Sequence, residues 1–402
     1  MDTLKVGIWL DSNYNPTAGG GYSYYEKLIK HIDEYDFSPN IEIVFLTEST
    51  GKHPVKKNVK EISLINRLFK YDNLVLKCFP PLFKYFRKIR RILETPYYQS
   101  LFRKLRIDIL YYLKQEECYI SNYPFIATNW DIGHVSTYPF PEMAATINRR
   151  KRFYETVLPK AIFVFCEYDS GKEELKKYTS IDDFKLKTVP LFSGVGTSLA
   201  VTDAIATDFL NKYQLVKNEY YFYPAQFWAH KNHYGLLSAF ARILRDFPNL
   251  KLAFTGSDKG NLQYIKDIIT DLRLENNVLI LGFVTLEELN ILYKNTLSLV
   301  MPTYLGPTNM PPIEAMELNC PVICSELSGH KEILGDSALY FNPHDISSIE
   351  AKMREILNNE VRNDLIEKLY LKEKESKFKV EYAIKKIEEY LLELLYIRKT
   401  WK

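Results

Sequence analysis

The feature that most constrains this chain is the regular alternation of short runs rich in β-branched and aromatic residues with amphipathic helical patterns. In the first half "KVGIWL", "IEIVFL", "IDILYYL", "FIATNWD" and "AIFVFCE" read as strands. In the second half "YYFYPAQ", "LKLAFTGS", "NVLILGFV", "LSLVMPT", "PVICS" and "ALYFNP" do the same. Helices separate them: "NHYGLLSAFARILRDF" places Leu236, Leu237, Phe240, Ile243, Leu244 and Phe247 on one face. Strands alternating with helices of this length predict βαβ units, and therefore an α/β fold with parallel sheets. With 402 residues the chain can bury two such cores.

The periodicity weakens over 190–218, which sets the expected boundary: an N-terminal domain over 1–195, a C-terminal domain over 196–375, and a terminal helix over 376–402. In that helix Val380, Ile384, Ile387, Leu391 and Leu394 form an apolar stripe that needs a partner surface. A net charge of only +3 gives no electrostatic footprint for nucleic acid, so none is expected as a partner. The 30 tyrosines suit sugar- or base-facing surfaces, but equally a plain compositional bias. No run approaches the roughly 18 apolar residues of a membrane span, and the opening "MDTLKVGIWLDSN" does not fit a signal peptide. The five cysteines form no CxxC pair, which predicts a reduced, cytoplasmic compartment. One segment, 84–106, carries eight Lys/Arg against one acid, interleaved with Phe, Tyr, Ile and Leu. It reads either as a solvated insertion or as a surface for anionic lipid at the inner face of a membrane.

In an open parallel sheet, ligands bind beyond the carboxyl ends of the strands. Three loops there carry suitable residues. In "YYFYPAQFWAHKNHYGLL" a strand ends near Gln226, Lys231 sits in the loop, and Asn232 can cap the next helix. Helix N–H groups and one ammonium make a diphosphate site; an ordinary exposed lysine is the plain alternative. His230 and His233 have no visible third ligand, so no metal site is assigned. The second loop, "PTYLGPTNMPPIEAMELNCPVICSE", is stiffened by prolines 302, 307, 311 and 312. Pro311 suits the first helical position, and Thr308 or Asn309 can satisfy N–H groups of the turn. A capping box for Glu314 would need Ser, Thr, Asp or Asn at 311. A carboxylate fixed there can instead accept two hydrogen bonds from vicinal hydroxyls, as a ribose presents them. The third loop carries Gly19, Gly20 and Gly21 before a helix, where backbone can approach a ligand closely or simply turn. It matches neither GxGxxG nor a P-loop. His134, in "WDIGHVSTYPFPE", follows a strand; position alone favours a structural role. No GxSxG, HExxH, DxD or paired-Cys pattern occurs, so neither a metal nor another cofactor is expected.

Taken together these segments resemble the family 4 glycosyltransferases, retaining enzymes of the two-domain GT-B fold. The likeness is strongest from about 220 to 345, through "YPAQFWAHKNH", "FTGS", "LGFV" and "GPTNMPPIEAMELNCPVICSELSGHKEILGDSALYFNP". It implies two Rossmann-like domains facing a cleft, with the terminal helix returning to the first. It also implies transfer from a nucleotide-sugar donor to a glycan or lipid-linked saccharide in surface polysaccharide or glycoconjugate synthesis. By this resemblance Glu314 holds the donor ribose, Lys231 meets the diphosphate, and His134 lies beside the transferred sugar. His134 and Lys231 are thus the implied catalytic pair. Gly20, Gly21, Gln226, Thr308, Asn309 and Met310 complete the implied donor site. Two departures stand out: Gly306 replaces the first glutamate of the E-x7-E motif, and Gln226 replaces the usual arginine. The "GPTN-PPxEA" loop looks like a subgroup variant. Two rivals remain, a phosphorylase or epimerase on the same fold and a non-catalytic nucleotide-sugar-binding subunit.

Overall fold

Every run read as a strand contains one, and the strands form two parallel sheets. The computed structural model describes residues 3–10, 20–47, 53–62, 96–116, 118, 120–137, 140–194, 197, 199–306 and 309–400. The first sheet comprises β1 (Leu4–Trp9), β2 (Ile41–Thr47), β3 (Val59–Glu61), β4 (Ile109–Tyr112), β5 (Phe125–Asn129), β6 (Phe163–Cys166) and β7 (Leu186–Thr188). Among the described residues its order is β3-β2-β1-β4-β5-β6-β7. The second comprises β8 (Tyr220–Pro224), β9 (Lys251–Thr255), β10 (Val278–Ile280), β11 (Ser298–Met301), β12 (Val322–Ser325) and β13 (Leu339–Phe341), ordered β10-β9-β8-β11-β12-β13. Both are doubly wound. Order reverses between β1 and β4 and between β8 and β11, where loops diverge and leave a crevice.

The strands that periodicity missed, β3 and β7, are the two edges of the first sheet. Their sequences, VKE and LKT, each centre on a lysine. Charge on an edge blocks pairing with another chain, and it also removes the apolar signal of a central strand. Central strands behave oppositely: β4, β5 and β6 are buried along their whole length.

Many tyrosines serve the core. Tyr220, Tyr221 and Tyr223 on β8 are fully buried. Their hydroxyls donate to Leu292 O at 2.8 Å, Met353 O at 2.6 Å and Lys231 O at 2.9 Å. Burying a phenol is tolerable only when its hydroxyl is paired.

The terminal helix Val380–Arg398 buries its predicted stripe and lies against the first domain. Glu388 accepts from Tyr35 Oη at 2.8 Å and from Ser38 N at 2.6 Å. Lys187 pairs with Glu393 at 2.8 Å, and Arg398 with Asp108 at 2.8 Å. Within the basic segment, 96–104 is helical. Tyr98 and Phe102 turn into the core against Trp9, with ring centroids at 5.2 and 6.3 Å. Arg103, Lys104 and Arg106 remain exposed, while Lys84, Arg87, Lys88, Arg90 and Arg91 lie outside the described residues. No described helix is long and apolar enough to cross a membrane.

Candidate active site

Lys231 is held by its backbone on both sides. It closes the single turn Ala229–Lys231 beyond β8, and Tyr223 from β8 hydrogen-bonds its carbonyl. Asn232 follows in the left-handed region at φ 55° and caps the helix His233–Ile243, with Oδ1 accepting from Gly235 N at 3.1 Å. Its Nδ2 donates to Pro343 O at 3.0 Å, tying the turn to the loop beyond β13. So fixed, the lysine sends Nζ to Asn309 Oδ1 at 3.0 Å. Burial lowers its pKa to about 8, opposed by the negative charges of Asp131 and Glu142. The side chain is still an ammonium at neutral pH.

The loop beyond β11 leads into the helix Met310–Glu317, which starts one residue earlier than expected, so Pro311 takes its second position. Asn309 is the N-cap residue but makes no capping bond, contrary to the expected role. Its amide is committed to Lys231 instead. Thr308 lies outside the described residues. One turn into the helix Glu314 is 9% exposed. Tyr293 Oη donates to its Oε2 at 2.8 Å. Burial raises its pKa, and the Tyr293 bond works against that rise. Gly306 has φ 113°, a region side-chain-bearing residues rarely adopt. A glutamate there would need another backbone path, so its loss and the shape of this loop go together.

Two cavities meet at these loops, each between the domains. The first, about 400 Å³, is lined by Tyr24, Trp130, Asp131, Glu167 and Leu191 of the N-terminal domain and by Trp228, His230, Lys231, Leu305, Gly306, Asn309 and Met310 opposite. The second, about 380 Å³, runs into the C-terminal domain past Gln226, Thr255, Gly256, Phe283, Leu286, Pro311 and Glu314. Trp228, His230, Lys231, Asn309 and Met310 line both. Gly256, at φ 137°, permits the close approach of two walls: a Cβ there would fall 2.4 Å from Ala225 O. Gln226 accepts from Trp228 Nε1 at 3.0 Å. Gly20 and Gly21 open the helix Gly20–Glu34, whose Ser23 reaches the second cavity.

The N-terminal wall is carboxyl-rich. Asp131, just past β5, accepts from Arg150 Nη2 at 2.5 Å and from Gly133 N at 2.8 Å. Glu167, directly after β6, has its pKa pushed well above the usual carboxylate range by burial and by Asp131's charge. One carboxyl is therefore paired with a guanidinium, and the other is pushed toward its neutral form by burial. Glu142 bridges the cleft, its Oε1 accepting from His230 N at 3.1 Å and from His230 Nδ1 at 2.5 Å. His233 is buried, its ring stacked on Phe227 at 4.7 Å. His134, on the short helix Gly133–Ser136, packs against Tyr154 with ring centroids at 4.9 Å and lies outside the walls of both cavities.

The structure thus gathers Lys231, Gln226, Asn309, Met310 and Glu314, and leaves His134 outside the walls of both cavities. Sequence reasoning missed Asp131, Glu167, Glu142 and Tyr293. The first two had a signal, a carboxyl residue at the carboxyl end of a strand. Glu142 and Tyr293 had none, because their partners are distant in sequence.

Residues 207–372, within the C-terminal domain, match the family described as "Glycosyl transferases group 1". The two-domain architecture is the GT-B fold. Over 98% of this chain and 100% of the other, it matches sucrose-phosphate synthase from Thermosynechococcus elongatus, at TM-score 0.71 and 15% identity. It matches Anabaena Alr3699/HepE, solved with UDP and glucose, at TM-score 0.68 and 14% identity over 97% of this chain and 100% of that one. Among curated relatives, the O-antigen chain mannosyltransferase RfbU of Salmonella typhimurium is 29% identical over 185 residues, covering 46% of this chain and 48% of RfbU. The match thus spans about half of that relative's length.

Proposed function

We propose that this protein is a retaining glycosyltransferase that moves a hexosyl group from a nucleoside diphosphate sugar to a glycan or lipid-linked saccharide in surface polysaccharide synthesis. The observation that carries this reading is the convergence of Lys231, Asn309 and Glu314, from two switch-point loops, on one cavity that opens into a second between the domains. Glu314 accepts the vicinal ribose hydroxyls, and Lys231 meets the diphosphate where the cavities join. Gly20, Gly21 and Thr308, with the backbone of Asn309 and Met310, complete the donor site. The acceptor enters from the carboxyl-rich wall. In the reaction the bond from the anomeric carbon to the β-phosphate oxygen breaks and its electron pair leaves with the diphosphate. The acceptor oxygen bonds to the anomeric carbon on the same face, and its proton passes to the departing phosphate. Lys231 stabilises the growing charge, a kind of contact whose removal typically costs about 10²–10³ in kcat. With Gln226 uncharged, that share falls on Lys231. On this reading neither metal nor cofactor takes part, and the basic segment brings the protein to an anionic membrane surface.

The relative RfbU carries a mannosyltransferase name, so mannose is the first sugar to test. Incubation with UDP-, GDP-, dTDP- and ADP-sugars and a panel of lipid-linked saccharides should give one donor whose sugar is transferred with its anomeric configuration kept, at a rate unchanged by EDTA. Cleavage that needs free phosphate would make it a phosphorylase. Tight donor binding with no transfer to any acceptor would make it a binding subunit.

A further inference from the structure

Beyond Lys231 and Asn309 the hydrogen bonding continues to a buried histidine. Asn309 Nδ2 lies 3.0 Å from His330 Nε2, and His330 Nδ1 lies 2.8 Å from Ser325 O at the end of β12. His330 is completely buried on the helix Ser328–Leu334. Each link admits one polarity only. An ammonium can only donate, so Oδ1 of Asn309 must face Lys231. The amide nitrogen then faces His330, whose Nε2 must accept. The ring proton is left on Nδ1, where it meets a carbonyl, an obligate acceptor. Burial and the nearby Lys231 charge, outweighing the Ser325 bond, lower the pKa of His330 to about 4, so the ring is neutral at physiological pH. The consequence is directional: a backbone carbonyl on β12 fixes the tautomer, the tautomer fixes the amide, and the amide aims the ammonium.

We propose that His330 is a positioning residue that acts through Asn309 to hold the Lys231 ammonium at the junction of the two cavities. The proposal rests on the glycosyl-transfer reading above for its kinetic consequence, but not for its geometry. It explains why Asn309 forgoes its capping bond at the helix Met310–Glu317. It also explains why a histidine, the one neutral side chain that can donate at one end and accept at the other across a rigid ring, is enclosed behind the loop.

The test compares His330→Leu, His330→Gln, Asn309→Ala and Asn309→Asp in the full chain. The first readout needs no substrate: titration of the Lys231 side-chain ¹³Cε resonance in lysine-labelled protein, assigned with Lys231→Arg. The charged and titratable groups around that ammonium are Asp131, Glu142, His230, His233 and His330, and of these only His330, neutral in the parent, is altered. His330→Leu and Asn309→Ala loosen or remove an acceptor that favours the charged form of a buried lysine, so its pKa should fall below about 8. Asn309→Asp, which adds a negative charge, should raise it instead. His330→Gln, whose carbonyl can accept where Nε2 did, should stay near the parent. The second readout is steady-state transfer. His330→Leu should lower kcat on the order of tenfold or more while the donor KM changes little, and His330→Gln should recover most of the loss. Should His330→Leu fail to fold, the two Asn309 variants decide, since that side chain is only half-buried. Identical Lys231 titrations in parent, His330→Leu and Asn309→Ala would overturn the relay. A parent protein that transfers no sugar would overturn the functional reading instead, leaving the titration to judge the relay alone.

Discussion

The two sheets share one winding order, yet the walls they offer to the cleft are built differently. On the C-terminal side the loops beyond β8 and β11 are tied to each other through Lys231 and Asn309. They are tied to their own domain through Tyr223 and Tyr293. On the N-terminal side the wall comes from the ends of β5 and β6, one strand beyond the reversal of order, and carries Asp131 and Glu167. One wall offers a cation, an amide and a buried carboxyl in a bonded frame. The other offers carboxyl groups, one of them braced by Arg150. On the proposed function the difference fits two recognition problems. A diphosphate and a ribose present the same groups in every turnover and favour a pre-formed site, whereas hydroxyl-rich acceptors are met by carboxyls.

The sharpest test of this division is Lys231→Ala, which should lower kcat by about 10²–10³, with a smaller change in donor KM, because leaving-group charge grows in the transition state. The parent rate should also fall as pH rises through about 8, where the ammonium loses its proton. A rate that climbed through that range would break the assignment. Next in size is Asp131→Asn, expected to lower the rate on the order of tenfold. It has a second signature, since the Asp131 charge helps keep Lys231 protonated. Its loss should move the alkaline limb of the pH profile to lower pH. A slower enzyme with an unmoved limb would separate the two walls electrostatically.

Glu314→Gln should weaken nucleotide binding by roughly 1–3 kcal/mol while the fold persists, since a charge-assisted acceptor becomes an amide. Calorimetry with the free nucleotide reads this directly, without acceptor. Unchanged affinity would remove the ribose assignment and leave Glu314 as the buried partner of Tyr293.

What could be read from the sequence follows the same division. The α/β class, the central strands and the stripe of the terminal helix were legible because burial on both faces, or on one helical face, writes apolar periodicity into adjacent residues. The edge strands β3 and β7 were not, since protecting an edge erases that pattern. Lys231, Asn309 and Glu314 were legible because they stand in short loops between a recognisable strand and helix. Glu142 was not, because it matters only through His230, which belongs to the other domain. Asn309 was found for the wrong local reason: cap chemistry predicted its side chain at a helix end, and a tertiary partner claimed it.

The smallest expected effect belongs to His134, where resemblance and geometry point apart. Resemblance puts its imidazole beside the transferred sugar. In the structure the ring packs on Tyr154, and its Nδ1 is buried with no hydrogen-bond partner among the described residues. Burial, then the Arg150 charge, lower its pKa and so favour the neutral ring. Replacing it with alanine removes an aromatic contact worth about 0.5–1.5 kcal/mol. It also relieves an unsatisfied buried nitrogen, a gain of the opposite sign. The net change should therefore be small, with a melting temperature lower by about 2–4 °C at most. The transfer rate should stay close to the parent's, because Asp131, not His134, lines the cavity. A loss on the order of a hundredfold with an unmoved melting temperature would show that the imidazole reaches the sugar during turnover. The N-terminal wall would then be completed only when substrate is bound, unlike the pre-formed wall it faces.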